Sequence, residues 1–248
     1  MQELIDRIYA EEKVYSPDGK EVRLHSCITP DEGELLSDLI RKDETVKKTL
    51  EVGFAQGMSA LYICQAIDGR PGATHTALDP FQREGWQSVG LANIERSGFK
   101  GFRLIEERSE FALPSLCKEA EGTFDLILVD GWHTFDHTLV DCFFATRLLR
   151  VGGYLVIDDI SMRPVHRCLE YLLTYPCYEL IASSGFPKGQ SVGRLVAKTL
   201  RGVFPRSLAR KVLSPRLYER IYVDSVTNMA ALKKVRPDDR TWDWFVEF

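Results

Sequence analysis

From Lys48 to Ile157 the chain alternates short apolar runs with longer amphipathic ones, and few folds accommodate that order. Extended segments are predicted at 49–52, 74–78, 102–106, 124–129 and 154–157, and helices at 59–67, 86–97, 111–119 and 138–149. Strand and helix in strict succession define an α/β fold with a doubly wound, mostly parallel sheet. Two strands are apolar throughout, Leu126-Ile127-Leu128-Val129 and Gly153-Tyr154-Leu155-Val156-Ile157, so both faces of each are expected to be buried. The first ends in Asp130 and the second in Asp158-Asp159. All three acids then emerge at the carboxyl edge of the sheet, where open α/β sheets bind ligands. Three carboxylates in one crevice repel one another unless protons or a cation compensate, so they read first as a candidate divalent-metal site.

The flanks divide the chain into three parts: an amino-terminal cap, 1–45; the alternating core, 46–198; and a carboxy-terminal extension, 199–248. In the cap, an amphipathic helix over 2–14 is followed by turn residues Ser16-Pro17-Asp18-Gly19 and an extended piece at 21–24. Thr29-Pro30 then supplies an N-cap and a first-turn proline for a helix through Arg41. Two more strands are expected at 178–182 and 192–197. The segment 199–220 is basic, with Arg201, Arg206, Arg210, Lys211, Arg216 and Arg220 opposed only by Glu219, and reads as an amphipathic face against the domain or a second copy. The aromatic end, Trp242 to Phe248, is expected to bury itself, at a dimer contact or over the cleft.

Composition removes several classes. With 44% hydrophobic residues in 248, a sizeable core can form, and no stretch reaches the roughly 18 to 20 apolar residues of a membrane span. The first residues lack the basic and apolar regions of a secretory signal, which makes a cytoplasmic location the default expectation. A net charge of −4 argues against general nucleic-acid binding. The six cysteines show no CxxC pair, so reduced, largely buried thiols are expected.

The first core strand runs into Glu51-Val52-Gly53-Phe54-Ala55-Gln56-Gly57, where glycine lets a ligand approach the backbone as a helix begins beneath it. The second ends in Asp79, an acid placed to accept both hydroxyls of a ribose. A nucleoside-containing cofactor follows, although a glycine turn and an acid do not settle which one.

These segments together, Glu51 to Gly57, Asp79, the run ending Val129-Asp130-Gly131-Trp132-His133, and the run ending Asp158-Asp159, resemble class I S-adenosylmethionine-dependent methyltransferases. In particular, Val129-Asp130-Gly131-Trp132-His133 and Asp158-Asp159 resemble the magnesium-dependent O-methyltransferases of antibiotic sugars and cephalosporin intermediates, relatives of catechol O-methyltransferase. The resemblance implies a seven-stranded Rossmann-like sheet whose last strand is antiparallel. It implies cofactor contacts from Glu51, Gly53, Ala55, Gly57, Ser59, Asp79, Ser109 and Asp130, with Glu51 and Gly53 by the methionine part and Glu107 to Ser109 near the adenine. It implies Mg²⁺ or Mn²⁺ held by Asp130, Asp158 and Asp159, with Asp130 and His133 catalytic and His133 as general base. Ala55 departs from the family, many of whose members carry a second glycine there.

Other histidines compete less well. His137 reads as a surface or capping residue, His25 as packing near the cleft, and neither His75 in a strand nor His166 on a helix reads as catalytic. The expected reaction is methyl transfer to a hydroxyl of a sugar, glycan or natural product. A metal-independent N- or O-methyltransferase and a non-catalytic S-adenosylmethionine-binding protein are the alternatives, and a nicotinamide oxidoreductase lacks its GxGxxG.

Overall fold

The computed structural model describes residues 1–183 and 228–248. Helix α1 (Gln2–Glu11) leads to a small antiparallel ribbon, β1 (Lys13–Tyr15) and β2 (Glu21–Arg23), and then to α2 (Pro30–Arg41). A capping box starts α2: Glu32 N donates to the Thr29 hydroxyl while the Glu32 carboxylate accepts from Thr29 N at 2.7 Å.

The core then follows as β3 (Lys48–Val52), α3 (Met58–Ile67), β4 (Thr74–Leu78), α4 (Val89–Ser97), β5 (Phe102–Ile105), α5 (Ser109–Ala120), β6 (Phe124–Val129), α6 (Phe135–Leu148), β7 (Leu149–Ile157), α7 (Arg163–Leu172), β8 (Tyr178–Ser183) and β9 (Ala230–Lys234). Seven strands form one sheet in the order β5-β4-β3-β6-β7-β9-β8. The first five are mutually parallel, and β9 runs antiparallel to both β7 and β8.

The sheet is covered on both faces because its central strands are apolar on both. All six residues of β6 are buried, with Ile127 and Val129 facing α5, α6 and α7, and Leu126 and Leu128 facing α2 and α3. From β3 the chain winds one way to β4 and the other way to β6, so the crevice at the carboxyl ends of these strands is the topological switch point. No helix among the described residues is long and apolar enough to cross a membrane.

The antiparallel strand differs from expectation. It is Ala230–Lys234, which lies within the part read as a carboxy-terminal extension, so the sheet reaches beyond residue 198. Its sequence, Ala-Ala-Leu-Lys-Lys, has little β-propensity, and the sheet recruits it by burial. The buried Lys234 ammonium donates to Thr146 O and Leu149 O, both at 2.7 Å, satisfying carbonyls at the end of α6. The segments 192–197 and 199–220 lie outside the described residues. Helix α4 begins at Val89 rather than near 86, because Gln87 and Ser88 adopt positive φ.

The aromatic end is only partly buried. Trp244 and Phe248 pack on Tyr171, and Arg240 stacks on Tyr175, but Trp242 is 98% exposed and Phe245 projects outward. All six cysteines are free; Cys27, at the cleft, is the exposed one.

Candidate active site

One cavity of about 700 Å³ opens at the switch point. The turn after β3, the ends of β4 and β6, the start of α5, the Asp158-Asp159 pair, Asn228 and the segment Ser26 to Ile28 of the cap form its wall.

The turn after β3 is shaped by close approach. Gly53 has φ +90°, and a Cβ there would lie 1.8 Å from the Asp130 carbonyl oxygen, so only glycine lets the β3 and β6 loops meet. Ala55, at φ +44°, is held by its N–H donating to Asp79 Oδ2 at 2.8 Å. Asp79 also accepts from Phe81 N at 2.8 Å and from Gln82 Nε2 at 3.1 Å, which ties the β3 and β4 turns together at the cavity floor.

Two residues expected at the cofactor do not line the cavity. Gly57 caps α3 at φ +80°, packed against Gly90 and Phe54. Glu51 is fully buried beneath α3: its carboxylate accepts from the Ser59 hydroxyl at 2.8 Å and lies 3.2 Å from His75 Nε2, whose Nδ1 is 2.8 Å from the Thr49 hydroxyl. Strand alternation explains this. Thr49 and Glu51 share one face of β3 and stand opposite His75 and Ala77 of β4, so Glu51 points into the packed layer rather than the crevice. Ser59 alone of that buried chain reaches the cavity wall.

At the other end of the cavity, His133 stands between two acids. Its Nε2 lies 2.8 Å from Asp159 Oδ2 and 3.4 Å from Asp130 Oδ1. Ligand atoms of Asp130, His133 and Asp159 all fall within 4.8 Å of one another, a spacing that fits a metal ion. Asp158 is not part of this set. It is buried behind the other two and faces Asn228, although it still touches the cavity. Of the three aspartates expected to hold a metal, Asp130 and Asp159 thus come together beside His133, and Asp158 lies outside that set.

Hydrogen bonds donated to Asp130 and Asp159 raise the pKa of the His133 imidazole to about 10. The same contact with His133 holds Asp159 below the usual carboxylate range. Asp130 and Asp158 shift the other way, raised first by desolvation and then by neighbouring carboxylates, Asp159 for Asp130 and Asp130 and Glu32 for Asp158. Asp130 keeps a quarter of its side chain open to the cavity, so the walls around it impose this desolvation. Near neutral pH the cluster carries more negative charge than the single imidazolium balances.

The other histidines make different contacts. His137 Nδ1 lies 2.8 Å from the Thr134 hydroxyl in the first turn of α6, and its ring lies near the exposed Trp132 at the cavity mouth. His25 packs against Trp86, and its backbone N–H donates to Gln56. His166 Nδ1 lies 3.1 Å from Ile160 O.

Sequence reasoning missed three residues here. Asn228 reaches the acids from a segment some seventy residues further along, and nothing local marks it. Gln56 bridges the cap and the cofactor turn, accepting from His25 N and donating to Arg23 O. Asp141, on α6, lies behind Gly131 and Ser109 with neither carboxylate oxygen in hydrogen-bond geometry. An acid on an amphipathic helix ordinarily reads as surface.

This fold, with a glycine turn, an acid at the next strand end and an acidic cluster across the cleft, supports the resemblance to class I S-adenosylmethionine-dependent methyltransferases. Residues 50–160, a little under half of the chain, match the family model Methyltransf_24, described as a methyltransferase domain, which supports an S-adenosylmethionine-dependent methyltransferase. No curated protein matches it significantly. Among solved structures, a Bacillus cereus O-methyltransferase in complex with SAH is similar at 17% identity and TM-score 0.59, over 76% of this chain and 85% of that one. Cofactor-bound Rv0187 from MTB is similar at 15% identity and TM-score 0.59, over 85% and 82%. The O-methyltransferase TomG of Streptomyces achromogenes, in complex with SAM, is similar at 18% identity and TM-score 0.56, over 66% and 77%. At these identities the likeness is one of fold.

Proposed function

We propose that the protein transfers the methyl group of S-adenosylmethionine to a hydroxyl of a small polyhydroxylated or catechol-like acceptor, assisted by a divalent cation, with His133 as general base. The carrying observation is His133 standing between Asp130 and Asp159 in the cavity that also holds the Gly53 turn and Asp79.

The residues present fit a hard cation. Asp130 and Asp159 offer carboxylate oxygens, and the surplus negative charge of the cluster is relieved by a positive ion. When bound, Mg²⁺ or Mn²⁺ would match the charge of the two acids and acidify an acceptor hydroxyl. His133 owes its raised basicity to those two carboxylates, so matching their charge favours the neutral imidazole that a base requires. Its Nε2 then takes the acceptor's proton as the acceptor oxygen attacks the methyl carbon. An O–C bond forms, the C–S bond breaks, and the sulfonium becomes the neutral thioether of S-adenosylhomocysteine. Gly53, Ala55, Asp79 and Ser109 all line the cavity, which supports a donor lying close against the backbone at Gly53 and Ala55, with its ribose toward Asp79 and its base toward Ser109. Most of the acceleration comes from positioning, because the methyl donor is already activated.

One observation favours a metal-free variant. Asp159 lies close enough to His133 to orient it as in an acid–histidine pair. Its cost is a base protonated up to about pH 10.

Labelled S-adenosylmethionine incubated with panels of sugars and catechols, with Mg²⁺ or with EDTA, separates the two readings. Transfer that needs Mg²⁺ and falls about 10²- to 10⁴-fold in His133→Ala is expected. Full transfer in EDTA removes the cation, and unchanged turnover in His133→Ala removes the base.

A further inference from the structure

We infer that Asn228 is the positioning residue of the acidic cluster: it sets the orientation of Asp158 and Asp159 and thereby the affinity of the site for a divalent cation. The inference rests on the cation reading above and adds a residue that is remote in sequence from the acids it serves.

Topology brings Asn228 there. Strand β9 runs antiparallel to β7, with Ala230 opposite Ile157, so the residues just before β9 meet the residues just after β7. Asn228 then grips the turn at several points. Its carbonyl accepts from Ile160 N at 3.0 Å, and its Oδ1 accepts from the Ser161 hydroxyl at 2.7 Å. The Ser161 hydroxyl can donate or accept, but a carboxylate only accepts, so the acids fix the amide with its NH₂ toward them and Oδ1 toward Ser161. That NH₂ donates to Asp158 Oδ1 at 3.4 Å and lies near enough to Asp159 to favour its charged form. Both ends of one planar amide are thus used, one on the turn and one on the carboxylates.

The turn needs such a grip. Asp159 has φ +53°, a left-handed conformation costing a non-glycine residue about 1 kcal/mol or more, and it persists only where surrounding contacts enforce it. The same residue supplies the carboxylate 2.8 Å from His133. If Asp159 relaxes to an extended backbone, that carboxylate leaves the cluster.

The residue type matters too. Lysine or arginine would neutralise the acids and compete with a cation, and aspartate would add a further negative charge that donates nothing. An amide orients both acids and leaves their charge for the cation. Partners that orient metal ligands typically contribute 10- to 100-fold to affinity.

The test is Mn²⁺ binding to the full chain, followed by electron paramagnetic resonance of the free ion, for the unmodified protein, Asn228→Ala and Ser161→Ala. Calorimetric titration with S-adenosylhomocysteine serves as the control. Asn228→Ala is expected to weaken Mn²⁺ binding by about 10-fold or more while leaving S-adenosylhomocysteine affinity unchanged. Ser161→Ala, a milder change that removes only the amide's partner at Oδ1, is expected to weaken Mn²⁺ in the same direction by a smaller factor. Equal Mn²⁺ affinity in all three proteins overturns the inference and leaves the cation reading standing. Parallel loss of Mn²⁺ and S-adenosylhomocysteine binding in both variants marks a purely structural role and also overturns it. An unmodified chain that binds S-adenosylhomocysteine but no Mn²⁺ overturns the cation reading and this inference together.

Discussion

Single residues decide what the cavity can do, and two of them make opposite demands on stability. Asp141 is almost fully buried, and burial raises its carboxyl to about pH 6, with the nearby Ser109 hydroxyl only partly opposing that shift. Its folded pKa exceeds its unfolded value, so the chain carries no penalty below about pH 4, a growing one between pH 4 and 6, and the whole of it above, on the order of 3 kcal/mol. Asp141→Asn is therefore expected to raise the melting temperature by several degrees at pH 8 and hardly at all at pH 4, as followed by thermal denaturation. His133 works in the other sense: its contribution is complete below its unfolded pKa, near 6.5, and is lost as pH rises through about 10. Gly53→Ala tests the close approach of the loops. Its Cβ would collide with the Asp130 backbone at a positive φ, so a loss of about 3 kcal/mol or more and loss of S-adenosylhomocysteine binding are expected by denaturation and calorimetry. At this scale the sequence was legible where a residue ends a strand, as Asp79, Asp130 and Asp159 do. It was silent where the contact is long-range, as with Asn228, and misleading where strand alternation turned Glu51 inward.

The helices and strands follow from local signals in most of the chain. The Thr29-Pro30-Asp31-Glu32 sequence marks the start of α2, and the structure builds both hydrogen bonds of the capping box there. Thr29→Ala is expected to cost about 1 kcal/mol, a shift of roughly 2–4 °C for a chain of this size, measurable by circular dichroism melting. Strands β3, β4, β5 and β6 lie within a residue of their expected bounds because their ends are acids or turns. Strand β7 begins five residues earlier than expected, at Leu149, with a register irregularity against β6 and Gly152 at φ +87°. A bulge of that kind breaks the two-residue periodicity by which a strand is read. Strand β9 was missed for a different reason: its alanines and lysines acquire strand character only from the neighbours β7 and β8.

The whole molecule places its excess charge deliberately. Asp130, Asp158 and Asp159 meet at the edge where β6 and β7 end and β9 begins, and desolvation makes two of them resist ionisation. Raised carboxyls cost stability as pH rises, so a cation that binds the folded cluster is expected to stabilise most at pH 8 and least at pH 5. At a hundredfold excess over its dissociation constant the gain is about 2.7 kcal/mol, or roughly 5–10 °C, which thermal scans with and without Mg²⁺ at the two pH values would read. The doubly wound order of the core was visible in the sequence because each crossover carries its own helix. The central claim is that donor, cation and base share one cleft, and crystals of the full chain grown with S-adenosylhomocysteine and Mn²⁺ test it most directly. The account expects one anomalous Mn²⁺ peak bound by Asp130 and Asp159, with the donor sulfur facing it and the donor ribose beside Asp79. S-adenosylhomocysteine bound in the cleft with no Mn²⁺ at those acids, or bound away from Gly53 and Asp79, would contradict it.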